Sequence, residues 1–502
     1  MPEGDGSHVA DEDRTGFLRG RGRSRGRGGR RLRRSTASLV VVLLVAAGLT
    51  YRFDLGNRWF GFDYPSPVTE PAEVLPPAGL SLPHAQGAAA VATPTPERAV
   101  DGAAVRRAVA RLVASKKLGR HVAVDVAQLS DGTVVYRHGA RQVTPASTMK
   151  LLTTTAALEA LGPDHRFTTR VVTAPSSPRI TLVGGGDPLL ARNASQPDGT
   201  YPARADLDTL ARATAKALRG LGRTSVRLSY DASLFTGPSV SPAWEPSYIP
   251  DNVVSPISAL WVDEGRDRRG YGYRSPVPAA AAAQVFVTAL RQHGVKVVGR
   301  PTARIAGPEA EDLATVQSAP LSEIVQHVLE VSDNEGAEVL LRQVALAEKE
   351  PASFEGGARA VREVLTRLGV DLAGDRFHDG SGLSRHDHLS PETLLQVLDV
   401  ASSPDHPGLR SVVADLPVAG FTGSLAYRFQ QGNPAGLGTV RAKTGTLTGV
   451  HGLAGTVTSV DGAVMTFVAI ADRVRLPDTL DARSLLDRIT AALAGCTCAA
   501  SG

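Results

Sequence analysis

Two strand-turn-strand patterns near opposite ends of the chain constrain its fold most. Residues 121–139 alternate apolar and polar side chains around an Asp-Gly dipeptide, and residues 450–473 repeat that arrangement. Asp-Gly is favoured in tight hairpin turns because both positions tolerate positive φ. Helical spacing precedes the first pattern in residues 99–118 and follows the second in residues 480–493. The chain therefore predicts an α+β fold in which one antiparallel sheet, flanked by helices, is assembled from both ends.

The N-terminal region predicts export. Residues 1–34 carry ten Arg against five acidic residues, and residues 35–51 are uncharged, with the apolar run LVVVLLVAAGL at their centre. Under the positive-inside rule the Arg-rich tail stays in the cytoplasm and the rest of the chain is extracytoplasmic. A membrane anchor is favoured, and a cleaved signal peptide is the alternative because the run is short for a bilayer. The tail itself sets this topology, or it binds anionic lipid headgroups or nucleic acid. Residues 52–98 contain eight Pro and predict an extended linker.

Composition excludes several functions for the rest of the chain. Outside the tail, 45 basic residues balance 45 acidic ones, so no nucleic-acid-binding body with a basic face is expected. The only cysteines are Cys496 and Cys498, which excludes Cys-rich zinc sites, iron–sulfur clusters and a cysteine nucleophile in the usual arrangements. This pair could form a local disulfide or bind a metal, but a tail feature without a role is favoured, because so short a loop strains disulfide geometry.

The first candidate for chemistry is Ser147 with Lys150, in the stretch that opens with Pro145. Pro suits the first turn of a helix and Gly162 suits its end, so the two side chains are predicted to share one face at the helix N-terminus. A serine hydroxyl needs a base to become a nucleophile, and a lysine of lowered pKa one turn away can serve. Alone, this short motif is equally compatible with an exposed helix start.

Two further triplets follow in order along the chain. Ser332-Asp333-Asn334 separates two segments of helical periodicity, and Lys443-Thr444-Gly445-Thr446 lies in a strand-like stretch. Separately, these residues could be helix caps and a solvent-facing strand lysine. Together with Ser147 and Lys150 they match the Ser-x-x-Lys, Ser-Asp-Asn and Lys-Thr-Gly elements of penicillin-interacting serine enzymes.

Longer stretches around the triplets narrow the resemblance. They are PASTMKLLTTTAALEALG, GGGDPLL at 184–190, PISAL at 256–260, DGSGLSR at 379–385, LPVAGFTGSLAYRF at 416–429 and AKTGTLTGVHGLAG at 442–455. From about residue 98 to about residue 494 the chain resembles the D-alanyl-D-alanine carboxypeptidase/endopeptidase family, the low-molecular-mass class C penicillin-binding proteins, which are serine peptidases. The resemblance implies a β-lactamase/transpeptidase-like domain with an inserted α/β module between the Ser-x-x-Lys and Ser-x-Asn motifs. The tail, membrane segment and linker lie outside it.

The resemblance also implies an acyl-transfer mechanism. Ser147 would attack the carbonyl that joins two terminal D-alanines of a peptidoglycan stem peptide, and Lys150 would take its proton. Ser332 would relay a proton to the leaving amine, and Asn334 would hold Lys150 and the acyl amide. Water would then release the shortened peptide, with no cofactor and no metal, and β-lactams would act as inhibitors.

Substrate binding is implied for the Lys-Thr-Gly strand. Lys443, Thr444, Gly445 and Thr446 would engage the terminal carboxylate, and the charge of Lys443 would help to keep Lys150 unprotonated. The backbone N–H groups of Ser147 and Thr446 would form the oxyanion hole.

The predicted domains follow from these positions. After the tail, the anchor and the linker, the catalytic domain comprises residues 99–164 and 316–495, and residues 165–315 form the insertion. The GGGDP segment lacks the spacing of a nucleotide-binding loop and predicts a turn. The DGSGLSR loop could line the cleft or be a plain turn, and the twelve His show no metal-ligand pattern.

Two other functions remain open at this point. A β-lactamase of the class A type uses a glutamate to position water, and no Glu-x-x-Leu-Asn segment lies between Ser332 and Lys443. A catalytically silent wall-binding or scaffold protein would not need intact catalytic motifs, yet all of them are present.

Overall fold

The computed structural model describes residues 98–500 apart from residues 176, 195–200, 269–270 and 431–432. The Arg-rich tail, the predicted membrane segment and all but the last residue of the linker lie outside these described residues. Within the described part, no helix combines the length and apolar character that crossing a bilayer requires.

Thirteen strands and ten α-helices are named here in chain order for the described residues. The strands are β1 (Val122–Gln128), β2 (Val134–Gly139), β3 (Thr168–Thr173), β4 (Arg179–Val183), β5 (Ser225–Asp231), β6 (Arg266–Arg268), β7 (Tyr271–Arg274), β8 (Lys296–Val297), β9 (Thr302–Ala303), β10 (Glu311–Gln317), β11 (Val440–Leu447), β12 (Val450–Thr458) and β13 (Val464–Ala471). The helices are α1 (Gly102–Val113), α2 (Lys150–Leu161), α3 (Leu207–Gly220), α4 (Pro278–Gln292), α5 (Leu321–Glu330), α6 (Asn334–Ala347), α7 (Phe354–Arg367), α8 (Pro391–Ser402), α9 (Ser411–Ala414) and α10 (Thr479–Ala494).

The larger antiparallel sheet joins the two ends of the chain, as the hairpin patterns predict. Its strand order is β11-β12-β13-β1-β2, so the N-terminal hairpin pairs directly with the C-terminal one. Val124 and Val126 of β1 face a core that includes α1 and α10, whereas Ala123 and Ala127 face the core around α2. Helices therefore cover both faces of the sheet, and the α+β prediction is confirmed.

A second, mixed sheet occupies the middle of the chain. Its order is β10-β3-β4-β5-β8, with β9 also pairing with β5. Strands β4 and β5 run parallel, whereas β3 is antiparallel to both β4 and β10. Apolar side chains of α3 and α4 share a third core with this sheet. The strands of this sheet lie between Thr168 and Gln317. The assignment of the predicted insertion, residues 165–315, as a separate domain stays a prediction.

Helix α2 lies at the centre of the larger core and carries the first catalytic motif. Residues 150–158 are all buried, because the sequence is apolar or small on every side of the helix, which is typical of a fully buried helix. Two of its three threonine hydroxyls are accommodated by hydrogen bonds: Thr153 Oγ1 donates to the Gly380 carbonyl at 2.8 Å, and Thr154 Oγ1 donates to the Lys150 carbonyl at 2.7 Å. Thr155 Oγ1 has no partner among the described residues.

The C-terminal tail is tied to the segment that precedes α1. The Asp101 N–H donates to the Cys498 carbonyl and the Ala500 N–H donates to the Ala99 carbonyl, both at 2.7 Å. Of the two alternatives for the cysteines, the structure contains the local disulfide between Cys496 and Cys498.

Candidate active site

Ser147 lies in a short 3-10 turn, Ala146–Met149, that leads directly into α2. The sequence places Ser147 inside the helix, whereas in the structure the helix begins three residues later. The turn differs from a regular helix start because Ala146 has φ +46°, a left-handed conformation that is uncommon for a residue with a side chain. Ser147 is partly exposed, while its neighbours on both sides are buried, so the turn presents only the nucleophile to the cleft.

Lys150 is fully buried, and its Nζ makes three hydrogen bonds. Nζ lies 3.0 Å from Ser147 Oγ, 2.8 Å from Asn334 Oδ1 and 2.8 Å from the Ser381 carbonyl oxygen. The first two contacts join the Ser-x-x-Lys and Ser-Asp-Asn motifs as predicted. The third comes from the DGSGLSR loop, which therefore lines the site.

The pKa of Lys150 suits a general base. Burial lowers it to about 8, while the carboxylates of Glu338, Asp333, Asp379 and Glu335 raise it. Of the two causes expected from the sequence, burial or a neighbouring positive charge, burial is thus the main one. An amine of this pKa is unprotonated in a useful fraction of molecules near neutral pH.

The Ser-Asp-Asn triplet lies at a break between two helices, as predicted. Helix α5 ends at Glu330 and α6 begins at Asn334. Between them Ser332 has φ +61°, so the backbone turns sharply there. Ser332 Oγ accepts a hydrogen bond from Lys443 Nζ at 2.7 Å, which brings the second motif to the third.

Lys443 and Thr444 lie on β11, at the edge of the sheet. Val418 bridges to Arg441 at the start of this strand, and among the described residues no strand pairs with the outer edge of β11 beyond that point. Thr446 is exposed at this edge. A Cβ added to Gly445 would lie 2.8 Å from the Pro145 carbonyl oxygen, so glycine lets β11 pass close beside the nucleophile turn.

Lys443 is buried behind the cleft. It is 0% exposed, and its Nζ donates to the Thr444 carbonyl at 2.9 Å as well as to Ser332. Burial and the neighbouring charge of Lys150 hold the pKa of Lys443 well below its usual value. The solvent-facing alternative is therefore wrong, and Lys443 reaches the cleft through the groups that it contacts.

Three residues of the site were not among the sequence candidates. Ser381 supplies the third acceptor to Lys150, and Glu338 accepts hydrogen bonds from the backbone of the same loop. Ser424 Oγ lies 3.0 Å from Thr444 Oγ1 and fixes that hydroxyl. The DGSGLSR loop gave a partial signal for Ser381, and the LPVAGFTGSLAYRF stretch gave one for Ser424, whereas Glu338 lies in none of the stretches that carry the resemblance.

One cluster in the described residues could offer metal-ligand atoms. Carboxylate or imidazole atoms of Glu264, His327 and Asp333 lie within 4.8 Å of one another. The guanidinium groups of Arg204 and Arg266 already face the Glu264 carboxylate, at 3.7 and 3.4 Å. Their positive charge opposes binding of a cation, so we assign no metal to this cluster.

The geometry supports acyl transfer through a covalent intermediate. The partly exposed Ser147 hydroxyl lies beside the buried amine of Lys150, whose pKa is lowered, and next to the edge strand β11 with its polar side chains. A serine hydroxyl next to such a base is the arrangement required of an activated nucleophile.

Comparisons with known proteins agree with this chemistry. The model of the D-Ala-D-Ala carboxypeptidase 3 (S13) family matches residues 105–269 and 267–493. The chain is 34% identical to carboxypeptidase DacB of Mycolicibacterium smegmatis, over 92% of this chain and 96% of that protein. It is 30% identical to the D-alanyl-D-alanine carboxypeptidase of an Actinomadura species, over 68% of this chain and 75% of that protein. The fold is similar to penicillin-binding protein 4 of Haemophilus influenzae, with a TM-score of 0.64 and 22% identity, covering 76% of this chain and 97% of that one.

Proposed function

Since the chain belongs to the D-Ala-D-Ala carboxypeptidase 3 (S13) family and is a serine-type D-Ala-D-Ala carboxypeptidase/endopeptidase, we propose that it trims peptidoglycan stem peptides through an acyl-enzyme on Ser147. The observation that carries this proposal is the 3.0 Å contact between Lys150 Nζ and Ser147 Oγ. The fully buried amine is the base within reach of the hydroxyl.

Acylation starts when neutral Lys150 takes the proton of Ser147. Oγ then attacks the carbonyl carbon between the two terminal D-alanines, and the oxygen of the tetrahedral intermediate becomes negative. The leaving nitrogen needs a proton, and the proton that Lys150 took from Ser147 reaches it through the Ser332 hydroxyl, whose Oγ accepts a hydrogen bond from Lys443 Nζ at 2.7 Å. Lys150 is then neutral again. The C–N bond breaks, D-alanine departs, and the ester on Ser147 remains.

Deacylation reverses the roles around the same serine. A water molecule gives a proton to neutral Lys150, and the oxygen of that water attacks the ester carbonyl. The C–Oγ bond breaks, Ser147 recovers a proton, and the shortened peptide leaves with a new carboxylate. Each turnover therefore consumes one water and restores Lys150 to its starting state.

Substrate binding uses the edge of β11. A peptide can add to an exposed strand edge through its main chain, and we expect the Thr444 and Thr446 hydroxyls to bind its terminal carboxylate. Thr444 is oriented by Ser424, at 3.0 Å. The backbone N–H groups of Ser147 and Thr446 supply the oxyanion hole, and Asn334 binds the acyl amide.

The assignment of Ser147 is tested by locating a penicillin adduct. We expect residues 95–502, incubated with a fluorescent penicillin, to carry the label on Ser147 alone when peptides are mapped by mass spectrometry. A Ser239→Ala variant is the matched control, because Ser239 is an exposed serine in the insertion, and it should label normally. A label on any other residue would refute the nucleophile, and rapid loss of the adduct as hydrolysed penicillin would indicate a β-lactamase.

The balance of the two peptidase activities is measured with two substrates. Release of free D-alanine from a stem pentapeptide reports carboxypeptidase activity, and cleavage of a crosslinked dimer reports endopeptidase activity. Turnover of neither substrate by a folded protein would favour the silent scaffold.

We also propose that the enzyme works outside the cytoplasm, anchored by residues 35–51. The support is the uncharged apolar run that follows ten Arg in residues 1–34. Expressed in a bacterial host, the full chain should fractionate with membranes and be cut by protease added to spheroplasts, while a chain starting at residue 52 should stay in the cytoplasm. Recovery of the full chain from the cytosol would contradict the anchor.

A further inference from the structure

The loop that follows the central helices contributes a backbone carbonyl to the active site. Lys150 Nζ donates to the Ser381 carbonyl at 2.8 Å and to Asn334 Oδ1 at the same distance. A neutral amine has two N–H groups and one lone pair. Since both oxygens are acceptors only, they occupy the two N–H groups, and the lone pair then points at the third neighbour, the Ser147 hydroxyl.

The position of that carbonyl depends on a buried carboxylate from α6. Glu338 is 0% exposed. The Gly380 N–H donates to its two carboxylate oxygens at 3.2 and 3.1 Å, and the Ser381 N–H donates to Oε1 at 2.8 Å. Consecutive N–H groups bound by one carboxylate fix the peptide planes on both sides of Gly380, and charge-assisted hydrogen bonds of this kind are strong.

The same loop is held from its other end by Asp379. Its Oδ1 accepts the Gly382 N–H at 2.7 Å, and its Oδ2 accepts the Ser384 N–H and the indole N–H of Trp244, both at 2.7 Å. Trp244 belongs to the predicted insertion, so the insertion also braces this loop.

We propose that Glu338 is a positioning residue for the reaction: by holding the backbone N–H groups of Gly380 and Ser381 it keeps the Ser381 carbonyl on Lys150, so that the amine's lone pair faces the Ser147 hydroxyl. This inference rests on the proposed role of Lys150 as the base. Glu338 touches neither the substrate nor the reacting atoms, and it acts through the loop.

The charges around Glu338 and Lys150 determine how the acylation rate is expected to depend on pH. Burial raises the pKa of Glu338 to about 7, with Asp379 raising it further and the loop N–H groups and Arg342 lowering it. Glu338 is in turn the carboxylate that raises the pKa of Lys150 most, followed by Asp333, Asp379 and Glu335. The amine of Lys443, whose own pKa is lowered by burial and by Lys150, lies in the same site.

The test compares Glu338→Gln and Glu338→Asp by the rate of penicillin acylation between pH 6 and pH 10. Removing the negative charge in Glu338→Gln lowers the pKa of Lys150, so the rise of rate with pH should move to lower pH. The maximal rate should fall about 10-fold, because the displacement expected from this change is smaller than the ~1 Å misplacement that costs on the order of 10²-fold. Glu338→Asp keeps the charge but shortens the side chain, so it should lower the maximal rate without moving the midpoint.

The controls separate positioning from folding. Glu363→Gln changes an exposed glutamate on α7 and should leave the rate and its midpoint unchanged. Thermal melting shows whether each variant is folded at the assay temperature. If folded Glu338→Gln matches the wild type in rate and midpoint, the positioning role is wrong although the proposed function stands. If the wild type itself is not acylated, the proposed function fails first.

Discussion

A Lys150→Ala enzyme is expected to lose between about 10²-fold and 10⁴-fold of its rate of acylation by penicillin, the range that a positioned general base contributes. The reason is that Ser147 Oγ has Lys150 Nζ at 3.0 Å and, among the described residues, no other side-chain hydrogen-bond partner in the structure. The measurement is the second-order rate constant for labelling by a fluorescent penicillin, followed by gel and by intact mass.

The acylation rate should also depend on pH in a direction that the pKa of Lys150 determines. The neutral amine is the active form, and the pKa of Lys150 lies at about 8. Below that pH the protonated amine cannot accept a proton, so the wild-type rate should rise with pH through about pH 8. The residual rate of Lys150→Ala should lack that rise. A variant that keeps it would show that another group is the base.

Folding has to be measured alongside the rate. Lys150 is fully buried, and its removal leaves the Asn334 and Ser381 oxygens without that donor, which costs about 1–3 kcal/mol per unsatisfied buried group. Lys216→Ala is the matched control, because Lys216 is exposed on α3, away from the catalytic motifs. It should alter neither the rate nor the melting temperature.

The two hairpins of the sheet and the break at the Ser-Asp-Asn triplet could be predicted because they depend on local patterns. The hairpins of β1–β2 and β12–β13 are visible as alternation around Asp-Gly turns, and the Ser-Asp-Asn break is visible as an interruption of helical spacing. The meeting of the three catalytic motifs followed from the family resemblance, since nothing in the spacing itself joins segments so far apart.

Burial and backbone conformation at the site could not be predicted in the same way. Lys443 fits the pattern of a strand residue, yet its burial depends on contacts with segments distant in the sequence, such as Ser332 between α5 and α6, which is a tertiary property. The positive φ at Ala146 and Ser332 is not signalled by alanine or serine, which rarely adopt it. Strain of this kind is expected where function, rather than local preference, decides the conformation.

The contacts between the predicted insertion and the catalytic elements could not be predicted from the sequence either. Besides the Trp244 contact with Asp379, the Ser255 N–H donates to Glu335 Oε1 at 3.0 Å, and Arg274 pairs with the same carboxylate. Glu335 directly follows Asn334 at the start of α6. Long-range contacts like these produce no periodic pattern in the sequence. They nevertheless hold the two segments that contact Lys150, the Ser-Asp-Asn break and the DGSGLSR loop.

Gly382→Ala is expected to damage both stability and acylation, because the Gly382 backbone lies against the nucleophile turn. A Cβ there would lie 1.9 Å from the Ala146 carbonyl oxygen and 2.5 Å from its carbon, and Gly382 has φ +78°. The left-handed conformation costs a side chain about 1 kcal/mol, and displacing packed backbone costs about 1–3 kcal/mol more. The free energy of unfolding should therefore fall by about 3 kcal/mol, measured by urea denaturation.

The effect of Gly382→Ala on the rate follows from the same contact. The Ala146 carbonyl belongs to the peptide unit that carries the Ser147 N–H, the predicted oxyanion-hole donor. Tilting this unit should slow acylation by about 10²-fold in the folded fraction, the scale of losing one such donor. Gly369→Ala is the matched control: Gly369 has φ +83°, and a Cβ added there would have no atom within 4 Å, so the change should cost about 1 kcal/mol and leave the acylation rate unchanged. Equal losses in both variants would mean that only the backbone conformation matters, and that Gly382 has no special relation to the nucleophile.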